Sequence, residues 1–133
     1  MTDEEHRATL VQVVETCRAI APGALVFGSS VRSDGLPNDL DLLLYASPED
    51  PAARRLLGAA RKFYGWVDVF LVPPDGRMLV RNPHASGWDV ARHARAIRST
   101  AEAEGVKLDN FDAAWMRQPD VSTDEQPAAA WAP

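Results

Sequence analysis

The sequence predicts an α+β domain in which helices cover a small mixed sheet of three to five strands. The chain has 133 residues, 46% of them hydrophobic and 25% charged, which suits one globular domain. Segments with apolar residues at helical spacing alternate with short apolar runs that end at glycine or proline. The first two predicted strands are joined by about a dozen residues, which leaves room for a short helix at most. These observations favour a two-layer arrangement of sheet and helices.

Caps and breakers set the order of the elements. A capping-box pattern of Thr2 and Glu5 starts the first helix, and Pro22-Gly23 ends it. Its apolar face comprises Leu10, Val13, Val14 and Cys17. Strands are predicted over 24–27, 39–45 and 66–72, with a short fourth strand in 77–80. A second helix is predicted over 50–63, with Ser47 as its cap. A third helix is predicted from Trp88 to about Glu104, and Gly105 ends it.

The domain is expected to span 1–116, followed by a tail over 117–133. This last segment is rich in proline, alanine and acidic residues, a composition typical of disorder. No run of about 18 apolar residues predicts a membrane span, and the acidic start does not resemble a signal peptide. The single cysteine, Cys17, fits a buried core position and a reducing compartment, so we expect a cytoplasmic protein.

Charge is unevenly distributed along the chain. The formal net charge is −5, of which −4 lies in residues 109–133. The remaining chain is therefore nearly neutral, which argues against a protein that grips long nucleic acid through its phosphates. A small phosphorylated ligand remains compatible with this balance.

Two aspartates in one apolar strand are the strongest chemical signal. Asp39 and Asp41 are one residue apart, so the period of two in a strand puts both on one face. Adjacent carboxylates repel and are costly to desolvate unless a cation compensates them, and oxygen ligands suit Mg²⁺. Asp68 lies in the next apolar strand and joins them if the two strands are neighbours. We therefore expect the three carboxylates to converge at one sheet edge as a two-metal phosphoryl-transfer site.

A phosphate-binding turn is predicted directly after the first strand. Gly28 permits close backbone approach, and the hydroxyls of Ser29 and Ser30, with neighbouring amides, suit phosphate oxygens. Arg32 adds a positive charge two residues further on.

The run FGSSVRSDGLPNDLDLLLY, followed by VDVFLV, resembles the DNA polymerase β-like nucleotidyltransferase superfamily, in particular its minimal nucleotidyltransferase branch. The shared pattern is a strand, Gly-Ser, a loop, Asp-x-Asp in a strand and a third Asp in a later strand. The resemblance spans residues 24–72 and implies the nucleotidyltransferase fold. It also implies that Ser29 binds nucleotide phosphate, that Asp39 and Asp41 ligate the metals, and that Asp68 ligates one metal and helps deprotonate the acceptor hydroxyl.

The function implied is transfer of a nucleoside monophosphate from a Mg²⁺-bound nucleoside triphosphate, with ATP favoured, to an acceptor hydroxyl. Ser30 departs from the family, where Arg or Tyr often follows Gly-Ser, and the loop is slightly short. The chain also lacks the second domain with which many relatives hold their acceptor. The acceptor is therefore expected to be a protein, or to be held by a partner subunit. The resemblance implies an antitoxin that pairs with a HEPN-type toxin and can nucleotidylate it. The alternative is an antitoxin-like binding subunit with a vestigial site; a drug-modifying enzyme is disfavoured.

Overall fold

A computed structural model describes residues 1–32, 35–77, 79–80 and 87–117. Within these ranges the chain forms a mixed α+β domain, which confirms the predicted fold class. The predicted tail, apart from Arg117, lies outside the described residues. No helix in the described part is long and apolar enough to cross a membrane.

The chain alternates helices and short strands. The helices are α1 (Asp3–Ile20), α2 (Ser29–Arg32), α3 (Pro51–Lys62) and α4 (Gly87–Glu104). The strands are β1 (Leu25–Phe27), β2 (Leu40–Leu44), β3 (Val67–Leu71), β4 (Leu79–Val80) and β5 (Val106–Lys107). Two 3₁₀ turns follow, Leu108–Asn110 and Ala114–Met116.

The helix starts are fixed by side-chain caps. At α1 the Thr2 hydroxyl accepts the Glu5 N–H at 3.1 Å, while the Glu5 carboxylate accepts the Thr2 N–H at 3.3 Å, which confirms the capping box. At α3 the cap is Asp50, whose carboxylate accepts the Ala52 N–H at 2.9 Å. The predicted Ser47 cap was wrong, because Pro51 with its fixed φ occupies the first turn and places the cap directly before it.

The five strands lie in the order β4-β3-β2-β1-β5. Strands β2 and β3 are parallel, with α3 as the connection between them, and the other neighbouring pairs are antiparallel. The parallel pair has a continuous register from Leu40 opposite Val67 to Leu44 opposite Leu71. This pairing brings the two aspartate-bearing strands side by side at the centre of the sheet.

Helices cover both faces of this sheet, so α4 adds a third layer to the predicted two-layer arrangement. The larger core lies between α1, α3 and one face, to which alternate strand residues such as Val26, Leu42 and Val69 contribute. The smaller core lies on the opposite face, where Ala101 of α4 packs with Phe27, Leu43 and Phe70. The period of two in each strand therefore assigns odd and even positions to different cores.

The segment after α4 was not predicted to carry structure. It adds β5 to the edge of β1 and buries three large side chains, Leu108, Phe111 and Trp115. Two arginines of α1 hold its backbone: Arg18 donates to the carbonyls of Leu108 and Phe111, at 2.8 and 2.6 Å, and Arg7 donates to that of Trp115 at 2.9 Å. The domain thus includes the chain up to the second 3₁₀ turn.

Candidate active site

Asp41 and Asp68 are direct neighbours in the parallel pair. They are register partners, one in β2 and one in β3, and both lie on the sheet face that α4 covers. Leu40 and Leu42 point to the opposite core. The predicted adjacency of the two strands, and of these two carboxylates, is confirmed.

The environment of Asp41 disfavours its charge. Burial, the charges of Asp39 and Asp68 and a side-chain hydrogen bond with Asp68 together raise the pKa of Asp41 from 3.8 to about 7, while Arg32 acts in the opposite direction. A hydrogen bond between two carboxyl groups requires a proton on one of them. Without a bound cation, the pair therefore shares a proton close to neutral pH, as crowded carboxylates do.

Asp39 lies just before β2 and is half-buried. It acts on Asp41 through its charge. In the part of the chain that the structure describes, no group of three or more His, Cys, Asp or Glu side chains is arranged to hold a metal ion. The structure brings together the pair Asp41 and Asp68, with Asp39 close enough for its charge to act on Asp41; the convergence of all three carboxylates on a metal stays a prediction.

Gly28 ends β1 directly against this pair. Its φ of +80° lies in the left-handed region that favours glycine. A Cβ atom at this position would lie 2.7 Å from the Oδ2 atom of Asp41, so the Asp41 carboxylate would have to shift to admit a side chain. The glycine thus meets two requirements at once: the turn into α2 and the close approach of backbone to carboxylate.

The two serines after Gly28 have different environments. Ser29 is exposed, whereas Ser30 is 1% exposed and its hydroxyl donates to the Phe27 carbonyl at 3.2 Å. The Trp115 indole N–H in turn donates to the Ser30 carbonyl at 2.8 Å. Ser30 therefore supports the turn from inside, and we keep Ser29 as the candidate phosphate-binding hydroxyl.

Arg32 has a partner that sequence reasoning missed. One carboxylate oxygen of Glu104, Oε1, accepts the Gly28 N–H at 3.3 Å and lies 3.1 Å from the Arg32 Nε. Glu104 is the last residue of α4, far from Gly28 in sequence. Since no local pattern links a helix end to a distant turn, the sequence alone offers no signal for this contact.

The donor set fits Mg²⁺. Two adjacent carboxylates supply the hard oxygen ligands that Mg²⁺ prefers, and the pKa of Asp41 is raised by its burial and by the neighbouring carboxylates. The absent side chain of Gly28 leaves the Oδ2 side of Asp41 open to a close ligand. A cation here would replace the shared proton and restore both charges.

Comparison with protein-family models, with curated proteins and with solved structures found no match for this chain.

Proposed function

We propose that the protein is a Mg²⁺-dependent nucleotidyltransferase of the nucleotidyltransferase fold. It transfers a nucleoside monophosphate from a nucleoside triphosphate, with ATP favoured, to an acceptor hydroxyl and releases pyrophosphate. The observation that carries the proposal is the carboxyl pair Asp41 and Asp68, in register on adjacent parallel strands beside the Gly28 turn. The order of these groups along the chain is the one expected from the motif resemblance.

Each residue of the site then has a chemical role. Asp41 and Asp68, with Asp39 nearby, would hold Mg²⁺, which when bound supplies charge stabilisation to the transferred phosphoryl group. Gly28 and Ser29 hold phosphate oxygens, and the Arg32 guanidinium adds positive charge beside them. Asp68 accepts the proton of the attacking acceptor hydroxyl, while the leaving oxygen departs with the pyrophosphate.

We further propose that the acceptor is a hydroxyl of a partner protein, a HEPN-type toxin that this chain neutralises as its antitoxin. This proposal follows the motif resemblance, because minimal nucleotidyltransferases commonly pair with such toxins and can nucleotidylate them. The single cysteine, Cys17, is buried and free, which suits the reducing cytoplasm in which such a pair would act.

The test is a labelling experiment. The purified protein is incubated with Mg²⁺ and each α-labelled nucleoside triphosphate, with and without cell extract, and labelled protein is followed on gels. Label is expected from at least one nucleotide, and Asp41→Asn should lower it about 100-fold or more, because metal-borne charge stabilisation dominates such transfers.

The matched control is Asp109→Asn, the same change at an exposed position far from the pair in the C-terminal segment. It should label as the wild type does. Absence of label with all four nucleotides, or full labelling by Asp41→Asn, would contradict the proposal.

The second candidate function is a binding subunit that neutralises its partner by contact, with a vestigial site. It is favoured by one observation: the Glu104 carboxylate already occupies the Gly28 N–H and the Arg32 guanidinium, the donors that would otherwise bind phosphate. This function predicts that Asp41→Asn protects cells from the partner as well as the wild type does. The enzymatic function predicts that protection is lost with the label.

A further inference from the structure

Glu104 places a carboxylate where the proposed function needs a phosphate. We propose that this residue is a built-in competitor for the nucleotide: its carboxylate occupies the anion-binding donors of the Gly28 turn and leaves when a triphosphate binds. This inference rests on the proposed function. It means that Glu104 determines how tightly the protein binds the polyphosphate chain of the nucleotide.

The contact itself identifies the donors. A single oxygen of Glu104 accepts the Gly28 N–H and also pairs with the Arg32 Nε, at 3.3 and 3.1 Å. A backbone N–H and a guanidinium that converge on one anionic oxygen are the groups that bind phosphate oxygens elsewhere. The turn thus already binds an anion, and this anion belongs to the protein.

The contact is open to exchange. The side chain of Arg32 is 64% exposed and that of Glu104 is 31% exposed, so an incoming anion can reach the donors from solvent. Ion pairs of this exposure are weak, because water and salt screen them. A triphosphate with several charges can therefore displace the single carboxylate.

The contact is not needed to hold α4 in place. The helix is already anchored by Ala101 and Ile97, which pack on Phe27 and Phe70 across the sheet. Its end is fixed by the Gly105 N–H, which donates to the Ala101 carbonyl at 2.8 Å. A neutral residue at position 104 would leave these interactions unchanged.

Electrostatics also argues against a purely structural carboxylate here. Asp39, Asp41 and Asp68 already place negative charge in this region, and Arg32 is the cation that acts on Asp41. Glu104 engages the same arginine. Glu104 therefore competes with other anions for Arg32. A ligand must carry more negative charge than one carboxylate to displace Glu104 from this arginine.

The experiment measures binding of inorganic tripolyphosphate, in excess Mg²⁺ at pH 7.5, by isothermal titration calorimetry. Glu104→Gln retains an oxygen that can accept the Gly28 N–H and removes only the charge. We expect its Kd to be about 2- to 5-fold lower than that of the wild type, the range that follows from one exposed ion pair.

Glu102→Gln is the matched control. Glu102 lies one half-turn earlier on α4 and contacts Tyr45 and Arg98 instead of the turn. Its neutralisation should leave the Kd for tripolyphosphate unchanged.

A double variant tests whether Arg32 is the shared partner. Arg32→Gln should weaken binding of tripolyphosphate, and in that background Glu104→Gln should have a much smaller effect, because the cation for which Glu104 and phosphate compete has been removed. Thermal melting of each variant checks that it is folded.

The inference is overturned if Glu104→Gln binds tripolyphosphate with the same or a higher Kd than the wild type, or if neither protein binds it. A higher Kd would identify Glu104 as a residue that orients Arg32. Failure of the proposed function is a separate result, because it is the absence of nucleotide label on any acceptor. If the wild type labels an acceptor but Glu104→Gln does not bind tripolyphosphate more tightly, the competitor role of Glu104 is refuted and the proposed function stands.

Discussion

The two faces of the central sheet differ in what they bury. Toward α1 and α3, the middle strands present only apolar side chains, Leu40 and Leu42 in β2 and Val67 and Val69 in β3. Toward α4, the same strands place Asp41 and Asp68 beside Leu43 and Phe70. The face toward α1 and α3 therefore buries only apolar side chains at these positions. The face toward α4 has two adjacent carboxyl groups where apolar contacts would otherwise stabilise the fold.

This difference is informative because it occurs within the same strands. Neighbouring residues such as Asp41 and Leu42 share backbone, register and strand partners. They differ only in the face to which they point. A carboxyl group whose pKa is raised to about 7 costs the metal-free fold free energy that the opposite face does not lose. Such a cost suits a functional site better than a structural one.

The largest expected effect on stability comes from substituting neighbouring residues of β2 that point to opposite faces of the sheet. Leu42→Ala should lower the free energy of unfolding by about 2–5 kcal/mol, because it leaves a cavity in the fully buried core. Asp41→Asn, one residue away, should leave the stability of the metal-free protein unchanged or raise it, because it relieves repulsion from Asp39 and Asp68. Urea denaturation in the presence of a chelator measures both.

A stability loss of roughly 1–3 kcal/mol in Asp41→Asn would break this comparison, since that is the cost of an unmet buried hydrogen bond. It would show that Asp41 belongs to a structural network. Asn retains an N–H donor for Asp68, so the shape of the pair is kept as nearly as the chemistry allows.

A smaller effect is expected where the backbone meets the pair. Gly28→Ala should destabilise the fold by roughly 1–3 kcal/mol, because its φ is +80° and the new Cβ would lie 2.7 Å from Asp41 Oδ2. In an Asp41→Ala background the steric part disappears and only the backbone part remains. A double-mutant cycle of unfolding free energies checks this; equal costs in both backgrounds would refute the close approach.

The sequence indicated the carboxyl pair only on the condition that two strands are neighbours, and it did not indicate the surroundings of the pair. Alternation within β2 predicts the face of Asp41, whereas Asp68 shares that face because β2 and β3 pair in parallel, and local pattern does not determine this pairing. Ser30 resembled Ser29 in sequence, and only the packing of Trp115 against the turn distinguishes them. Glu104 carries no local signal, because a long-range contact between α4 and β1 defines its role.

The segment after α4 was missed for a related reason. Its strand Val106–Lys107 has two residues, too few for any periodicity to appear. The arginines that hold its backbone come from α1, about 90 to 108 residues earlier in the chain. Only the tertiary structure joins these features.

The pH dependence of stability should also mark the α4 face. The pKa of Asp41 is about 7 in the folded protein, against 3.8 for an unperturbed aspartate, which represents the unfolded chain. Between these two pH values the folded protein therefore binds more protons than the unfolded chain. Stability in chelator should therefore fall as pH rises from 5 to 7, by up to about 1.4 kcal/mol per unit, and level off above. Unfolding free energies at each pH measure this; an equal slope in Asp41→Asn would assign it to other groups.

The smallest expected effects distinguish the two serines of the turn. Ser30→Ala should cost about 1 kcal/mol of stability, because it removes a buried hydrogen bond to the Phe27 carbonyl. Ser29→Ala should leave stability unchanged, since its side chain is exposed. Binding of tripolyphosphate should show the reverse order, with Ser29→Ala weaker by several-fold and Ser30→Ala close to the wild type. If Ser30→Ala instead weakened binding at unchanged stability, the inward hydroxyl would have to turn toward the ligand, and the turn would be more adaptable than its contact with Trp115 indicates.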